Sequence, residues 1–265
     1  MNRSVVLGVA VLVVLAGCPG PDSEASADTL TPAPVPTTER PAPPGVTDDG
    51  VAARVLVDTH TDLLSTANYT IRVERRVTGP NGTLSTFEHV RRVAAGGEPY
   101  VGRYGRTSSN YSFSASTRRI EYWTDGDGYA TRHSDGTTGR VLRTTWSSVG
   151  EPILDVDRSL KLFVVLERVG VRVADRSDGG VRLLGQRSGA VPNLPTPEFV
   201  REPRSAAVTA SVTADGLVTG WRYAYDAEST VGPVRILCDV TITDVGSTAV
   251  ERPAWVAEAR NGSAG

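Results

Sequence analysis

Apolar and polar positions change period several times along the chain, and each change marks an element. From Val51 to Ala67 the apolar side chains Val55, Leu56, Leu63 and Leu64 recur at helical spacing, with His60 at a boundary between them. Asp48 or Asp49 is placed to cap that helix and Asn68 stands where it stops. At Tyr69 the period falls to two. Alternation through Glu74, the turn Gly79-Pro80-Asn81-Gly82 and a return over 84–94 predict a hairpin. Further strands are predicted at about 99–105, 109–115, 118–124, 127–133 and 138–146, an antiparallel meander with Arg, Thr, Ser and Glu on a solvent face. Residues 151–167 revert to helical spacing through Ile153, Val156, Leu160, Phe163 and Val164, and Leu162, Val165 and Leu166 widen the apolar face, which predicts a helix buried on the sheet. Strands at 169–173 and 181–186 follow, then an irregular crossing marked by Pro192, Pro195, Pro197 and Pro203. The clearest strands come last, at 207–213, 217–225 and 233–243. In the last of them Val234, Ile236, Cys238, Val240 and Ile242 share the core-facing row.

The 265 residues carry 28 Lys and Arg against 30 Asp and Glu, a net charge of -2. That near-neutral total hides an acidic segment, 19–49, with six acids and one base, ahead of a domain that is slightly basic. The arginines of the domain are dispersed along the chain, which argues against a nucleic-acid partner. Two cysteines, Cys18 and Cys238, exclude a disulfide-dense scaffold.

The beginning of the chain carries an address. A positive start at Arg3 precedes an apolar run from Val5 to Leu15, which spans about 16 Å as a helix and so about half a bilayer core. Such a run is a signal segment rather than a membrane span. Its ending, Leu15-Ala16-Gly17-Cys18, resembles a lipobox, in which cleavage before the cysteine frees its amine and thiol for lipid attachment. The expected organisation is a lipoprotein signal peptide at 1–17, a Pro/Thr-rich acidic tether at 18–49 anchored by lipid on Cys18, one domain at 50–260 and a flexible tail at 261–265. The expected location is the outer face of the cytoplasmic membrane.

Catalytic and metal signatures are missing from the sequence: it has no His-x-x-x-His, paired-cysteine site, Gly-x-Ser-x-Gly elbow, phosphate loop or dinucleotide fingerprint. Asp125-Gly126-Asp127-Gly128 has the look of a calcium loop without its remaining ligands, and reads as a turn. Neither a metal, a cofactor nor an enzymatic activity is expected. Asn68, Asn81, Asn110 and Asn261 each open an Asn-x-Ser/Thr acceptor pattern, which makes them candidate N-glycosylation sites.

With the lipobox and tether, the opening Pro44-Gly45-Val46-Thr47-Asp48-Asp49-Gly50 and the closing Arg252-Pro253-Ala254-Trp255-Val256, the chain resembles a haloarchaeal lipoprotein family of unknown function. That family is similar in expected shape to the LolA and LppX/LprG lipoprotein folds. The resemblance implies an α+β domain with a strongly curved antiparallel sheet, an open half-barrel whose concave face is covered by helices. It further implies a surface-anchored lipoprotein that binds a lipid or other hydrophobic ligand in a cavity lined by Leu160, Phe163 and Val164, with entry past the Pro192–Pro203 segment. The membrane, through the amino-terminal lipid, and that hydrophobic ligand are the expected partners. The alternative is a structural or protein-interaction module of the cell envelope with no small-molecule ligand.

Overall fold

A computed structural model of the protein describes residues 41–48, 50–108, 118–148, 158–177, 179–197, 199–230 and 232–262. Those from 41 onward belong to one compact unit. The elements are α1 (Ala53–Thr66), six strands β1 (Tyr69–Gly79), β2 (Gly82–Val93), β3 (Tyr100–Ser108), β4 (Arg118–Thr124), β5 (Tyr129–Asp135) and β6 (Val141–Ser147), then α2 (Arg158–Val169). Five more strands, β7 (Val171–Ser177), β8 (Gly180–Ala190), β9 (Val200–Thr213), β10 (Val218–Ser229) and β11 (Gly232–Thr243), precede α3 (Trp255–Gly262).

All eleven strands form one sheet in the order β6-β5-β4-β3-β2-β1-β11-β10-β9-β8-β7. Every neighbour but one is also a neighbour in sequence. The exception, β1 against β11, sews two meanders together from Thr70↔Thr243 to Thr78↔Arg235. Alternation assigns the two faces. On the first, Ile71, Val73 and Val77 of β1 lie beside Ile242, Val240 and Ile236 of β11, and the row continues through Trp221, Tyr223 and Tyr225 of β10. The core forms where α1 and α2 lie on this face. Leu56, Val57, His60 and Leu64 come from α1, and Leu162, Val165, Leu166 and Val169 from α2.

The third helix is on the other face. The pairs Ile71↔Arg91, Arg91↔Gly102 and Gly102↔Tyr122 put Tyr122 of β4 on the first face. The next residue, Trp123, therefore points the opposite way, and it joins Ala130 of β5 and Trp255, Val256 and Ala259 of α3 in a second cluster, with Trp146 of β6 at its margin. Arg260 closes the arrangement, its guanidinium 4.1 Å from the centre of the Trp146 ring and 3.2 Å from the Asp125 carboxylate.

The α+β class and antiparallel pairing hold, but the half-barrel does not. The sheet is open, with β6 and β7 as its two ends, and it is neither strongly curved nor closed. Strong bending of a sheet is made by bulges and glycine kinks. Here the ladders β10–β11, β11–β1, β2–β3, β3–β4 and β4–β5 run in unbroken register. The one shift in β1–β2 lies at its turn end, between Val77 and Thr78, and the others fall in β5–β6 and from β7 to β10. Helices also pack on both faces rather than on one concave side.

Several local expectations change as well. Asp48 does not cap α1: Ala52 occupies the cap position without a side-chain hydrogen bond, and Asp48 instead accepts from Arg176 at 2.7 Å. Gly45, at φ +79°, lets the entering chain pass against the first helical turn, where a Cβ would lie 2.6 Å from the Leu56 nitrogen. The helix expected from 151 is described only from Arg158 onward, and the strand expected at 109–115 falls outside the described residues. Strand β9 begins at Val200, inside the expected irregular crossing. The closing Trp255–Gly262 segment, for which the sequence analysis named no element, is a helix.

Candidate functional site

Leu160, Phe163 and Val164, expected to line a hydrophobic cavity, lie on the outer side and flank of α2 rather than on its core-facing side. The face of α2 turned to the sheet carries Leu162, Val165 and Leu166, at 0%, 0% and 1% exposure. Their side chains fill the space against Leu183, Val208 and their neighbours. Leu160 is 58% exposed, while Phe163 and Val164 are half-buried on the flank. Phe163 lies 5.9 Å from the Arg54 guanidinium of α1, a helix–helix contact rather than a ligand wall. The Pro192–Pro203 segment is not a gate. Val191 and Leu194 are core residues, the Val191 amide donates to the Pro203 carbonyl at 2.8 Å, and Tyr225 donates its hydroxyl to the Pro195 carbonyl at 3.1 Å. A lipid-holding groove, and the lipid partner expected with it, are therefore withdrawn. The lipoprotein and membrane-anchor expectations gain nothing from the described residues, which exclude Cys18. Among them no helix is long and apolar enough to cross a membrane.

The histidines stay apart. His60 is 1% exposed rather than at a helix boundary. Its Nδ1 accepts the Val218 amide at 3.2 Å, its ring meets Trp221 edge-on, and burial pushes its pKa down to about 4. His89 of β2 is hydrogen-bonded to the Tyr122 hydroxyl inside an aromatic group with Phe87 and Tyr104. His133 of β5 is half-buried, and burial together with Arg143 and Arg118 lowers its pKa. Tyr122 fits because β3 carries Gly102 beneath it: a Cβ there would lie 2.2 Å from the Tyr122 hydroxyl oxygen.

Among the described residues no group of three or more His, Cys, Asp or Glu side chains is placed to hold a metal ion. Asp125 sits in the β4–β5 turn and receives Arg260. Cys238 is 4% exposed in its core-facing row. Of the candidate glycosylation sites, Asn68 is half-buried and donates its side-chain amide to the Thr248 carbonyl at 2.8 Å. Asn81 and Asn261 are exposed, and Asn110 lies outside the described residues.

What the fold does assemble is a charged surface on the second face. Across β1–β5 this face carries Arg72, Arg76, Arg92, Arg103, Arg119 and Arg132 with Glu74, Glu88 and Glu121. Arg72 donates to Glu88 at 2.6 Å and lies 3.4 Å from Glu74, and Arg132 is paired with Glu121 while its guanidinium sits 5.4 Å from the centre of the Trp255 ring. Arg92, Arg103 and Arg119 are exposed, and among the described residues they make no ion pair. Two open grooves of about 500 Å³ run along this part of the sheet. Arg92, Arg103, Pro253 and Trp255 help to line one, and Arg76 and Arg119 the other, which Arg106 and Arg118 of the opposite strand phase also reach. This group is not visible in the sequence, because its arginines are dispersed along the chain. The polar phase of each strand was the available signal, and the register was needed to join them.

No family model and no curated protein matches the chain. Among solved structures it is similar to a Nitrosomonas europaea protein whose crystal structure carries the name AttH, with 10% identity over 83% of this chain and 59% of that one and a TM-score of 0.18. So slight a likeness carries no argument about fold or activity. The haloarchaeal lipoprotein family with a LolA- or LppX/LprG-like fold is likewise set aside, since no family model answers to it and the sheet lacks the shape it implies.

Proposed function

We propose that the chain is a structural or protein-interaction module of the cell envelope, acting by binding rather than catalysis and without a small-molecule ligand of its own. One observation carries this reading. The helices α1 and α2 complete a filled core on the first face, while on the second face α3 covers only the β5–β6 end. Charged strand residues are thereby left exposed over the middle of the sheet. A broad polar face held rigid by a core behind it suits a protein partner, because rigid strands present side chains at fixed spacing. The location proposed for the module is the outer face of the cytoplasmic membrane, held by lipid on Cys18. The charged start, the short apolar run and the Leu15-Ala16-Gly17-Cys18 sequence support that location.

The test is photocrosslinking in intact cells. A crosslinker at exposed Thr241 on the second face should give an adduct with a distinct protein, and one at Val55 on the outer side of α1 should not. Native mass spectrometry of the gently purified protein should show the processed chain without a retained small molecule. No adduct from the second face, or a stoichiometric bound lipid, would overturn the reading. Intact mass of the membrane-extracted protein tests the location: residues 1–17 should be absent and Cys18 should carry added lipid mass.

A further inference from the structure

We infer that Arg92, Arg103 and Arg119 form a binding stripe for an extended acidic segment of a partner protein, one with carboxylates at every second residue. The inference rests on the interaction-module reading and names the chemistry of its partner.

The stripe arises from register. Val90 pairs with Arg103 and Arg92 with Val101, so Arg92 on β2 and Arg103 on β3 are diagonal neighbours of the same face. Arg103 pairs with Glu121 and Gly105 with Arg119, which makes Arg103 and Arg119 diagonal neighbours in the same sense. Each step moves one strand across and two residues along. Three guanidinium-bearing positions therefore form an oblique line over β2, β3 and β4, separated by about 7–8 Å at the backbone. Side chains at alternate positions of an extended peptide lie on one side and repeat every 6.5–7 Å or so. Carboxylates at three alternate positions of such a peptide match the line.

Charge complementarity supports the choice of partner. The acids nearest the stripe are already engaged, Glu88 by Arg72 and Glu121 by Arg132. The three arginines make no ion pair among the described residues, and Arg76 of β1, exposed and likewise without an ion pair, adds a further positive charge to this face. Against these, Asp244 is the one acid lining the Arg92–Arg103 groove that no arginine engages among the described residues. Arg92, Arg103 and Arg119 are all exposed, so their positive charge is unneeded for folding and available to an incoming anion. Gly105 stands between Glu88 and Arg119 on the same face, and a Cβ there would meet nothing closer than 3.9 Å, so a backbone can approach. Arg92 and Arg103 line an open groove of about 530 Å³ to which Pro253 and Trp255 also contribute, and Arg119 lines a second groove. A polymer charged at every unit would also lay negative groups over Glu88 and Glu121. A peptide with neutral residues between its carboxylates does not.

The test uses the full chain and a fluorescein-labelled peptide of alternating glutamate and threonine, about eight residues long, followed by fluorescence anisotropy at low salt. Comparison peptides carry glutamine in place of glutamate, or the same number of glutamates in one block. The alternating peptide should bind saturably and more tightly than the block, and the glutamine peptide should not bind. Arg92→Gln, Arg103→Gln and Arg119→Gln should each weaken binding about three- to fivefold, and the triple variant should lose it. Arg235→Gln, which removes an exposed arginine paired with Asp226 elsewhere on the sheet, should bind like the unaltered chain. Equal binding by the triple variant would overturn the stripe. So would a preference for inorganic polyphosphate or for vesicles of phosphatidylglycerol over the alternating peptide. The stripe and the module fail on different outcomes. A cellular adduct at Thr241 that persists in the triple variant, which melts like the parent, removes the stripe and leaves the module. A chain that binds the peptide but forms no adduct in cells removes the module.

Discussion

Acidification should unfold this protein earlier than its carboxylates alone would, because His60 is held where its charged form is not tolerated. The imidazole is 1% exposed on the inner side of α1, and burial pushes its pKa from 6.5 down to about 4. Protonation of Nδ1 also removes the acceptor that the Val218 amide uses at 3.2 Å. The unfolded chain binds the proton near the ordinary value and the folded chain only near the lowered one. The stabilising contribution is therefore fully present above about pH 6.5 and is lost as the pH falls towards 4. The difference of roughly 2.5 pH units corresponds to about 3 kcal/mol, of which about 2 kcal/mol is gone by pH 5. Other groups titrate in the same range, so the measurement is a difference. His60→Asn keeps an oxygen near the position of Nδ1, cannot be protonated, and shares the rest of the background. Urea unfolding at about pH 7, 6, 5 and 4 should show the unaltered chain losing about 3 kcal/mol more than the variant across the range. In thermal melts the same difference is about 6–12 °C. The variant starts from lower stability because its side chain is smaller, so the slope with pH is the readout. Parallel slopes for the two proteins would refute the reasoning, and so would a histidine pKa measured by NMR near its ordinary value in the folded state.

Three further outcomes follow from the packing. Leu166→Ala should cost about 2–5 kcal/mol in urea unfolding, whereas Leu160→Ala should cost less than about 1 kcal/mol; the reverse order would restore the rejected phase of α2. Gly102→Ala should destabilise by about 1–3 kcal/mol or more by driving a methyl into Tyr122, and pairing it with Tyr122→Phe should recover part of that loss, read from thermal melts. Trp255→Ala should cost about 3–5 kcal/mol and weaken binding of the alternating acidic peptide, since it removes both the anchor of α3 and a wall of the groove; unchanged melting would show that α3 is not seated on β5 and β6.

The strands were legible where one face is wet and the other dry. The row Val234, Ile236, Cys238, Val240, Ile242 alternates with exposed or half-exposed partners, and the structure buries each of the five. The helices were harder to phase. Over 158–169 the sequence offers two stripes, one through Leu160, Phe163, Val164 and Glu167 and the other through Leu162, Val165, Leu166 and Val169. Only the first contains a charge, and Glu167 marks that stripe as the outer side. His60 lies four residues from both Leu56 and Leu64, the spacing of the buried stripe. Its polarity disguised it as a boundary residue. The curvature of the sheet was not legible in the residues at all. It was carried over from a resemblance, whereas the register of each ladder, and where it shifts, is a property of pairing between strands.

The same reason hid the candidate site. A strand's own sequence states which residues share its face, but the neighbours of that face across the sheet depend on register. Arg92, Arg103 and Arg119 belong to three strands, and only the pairings Val90↔Arg103 and Gly105↔Arg119 draw them into a line. On the proposed reading, most of the stabilising burial lies on the first face and under α3, and recognition falls to the open middle of the second. The first face is filled by Leu56, Leu162, Leu166 and Ile236, and each such side chain contributes kilocalories through burial, on the order of 1.5–3 kcal/mol. On the second face the exposed ion pairs contribute at most about 1 kcal/mol each, so charges there change at little cost to the fold. Arginines that no acid of the described surface engages, beside acids that are engaged, are then best explained by what they meet outside the domain.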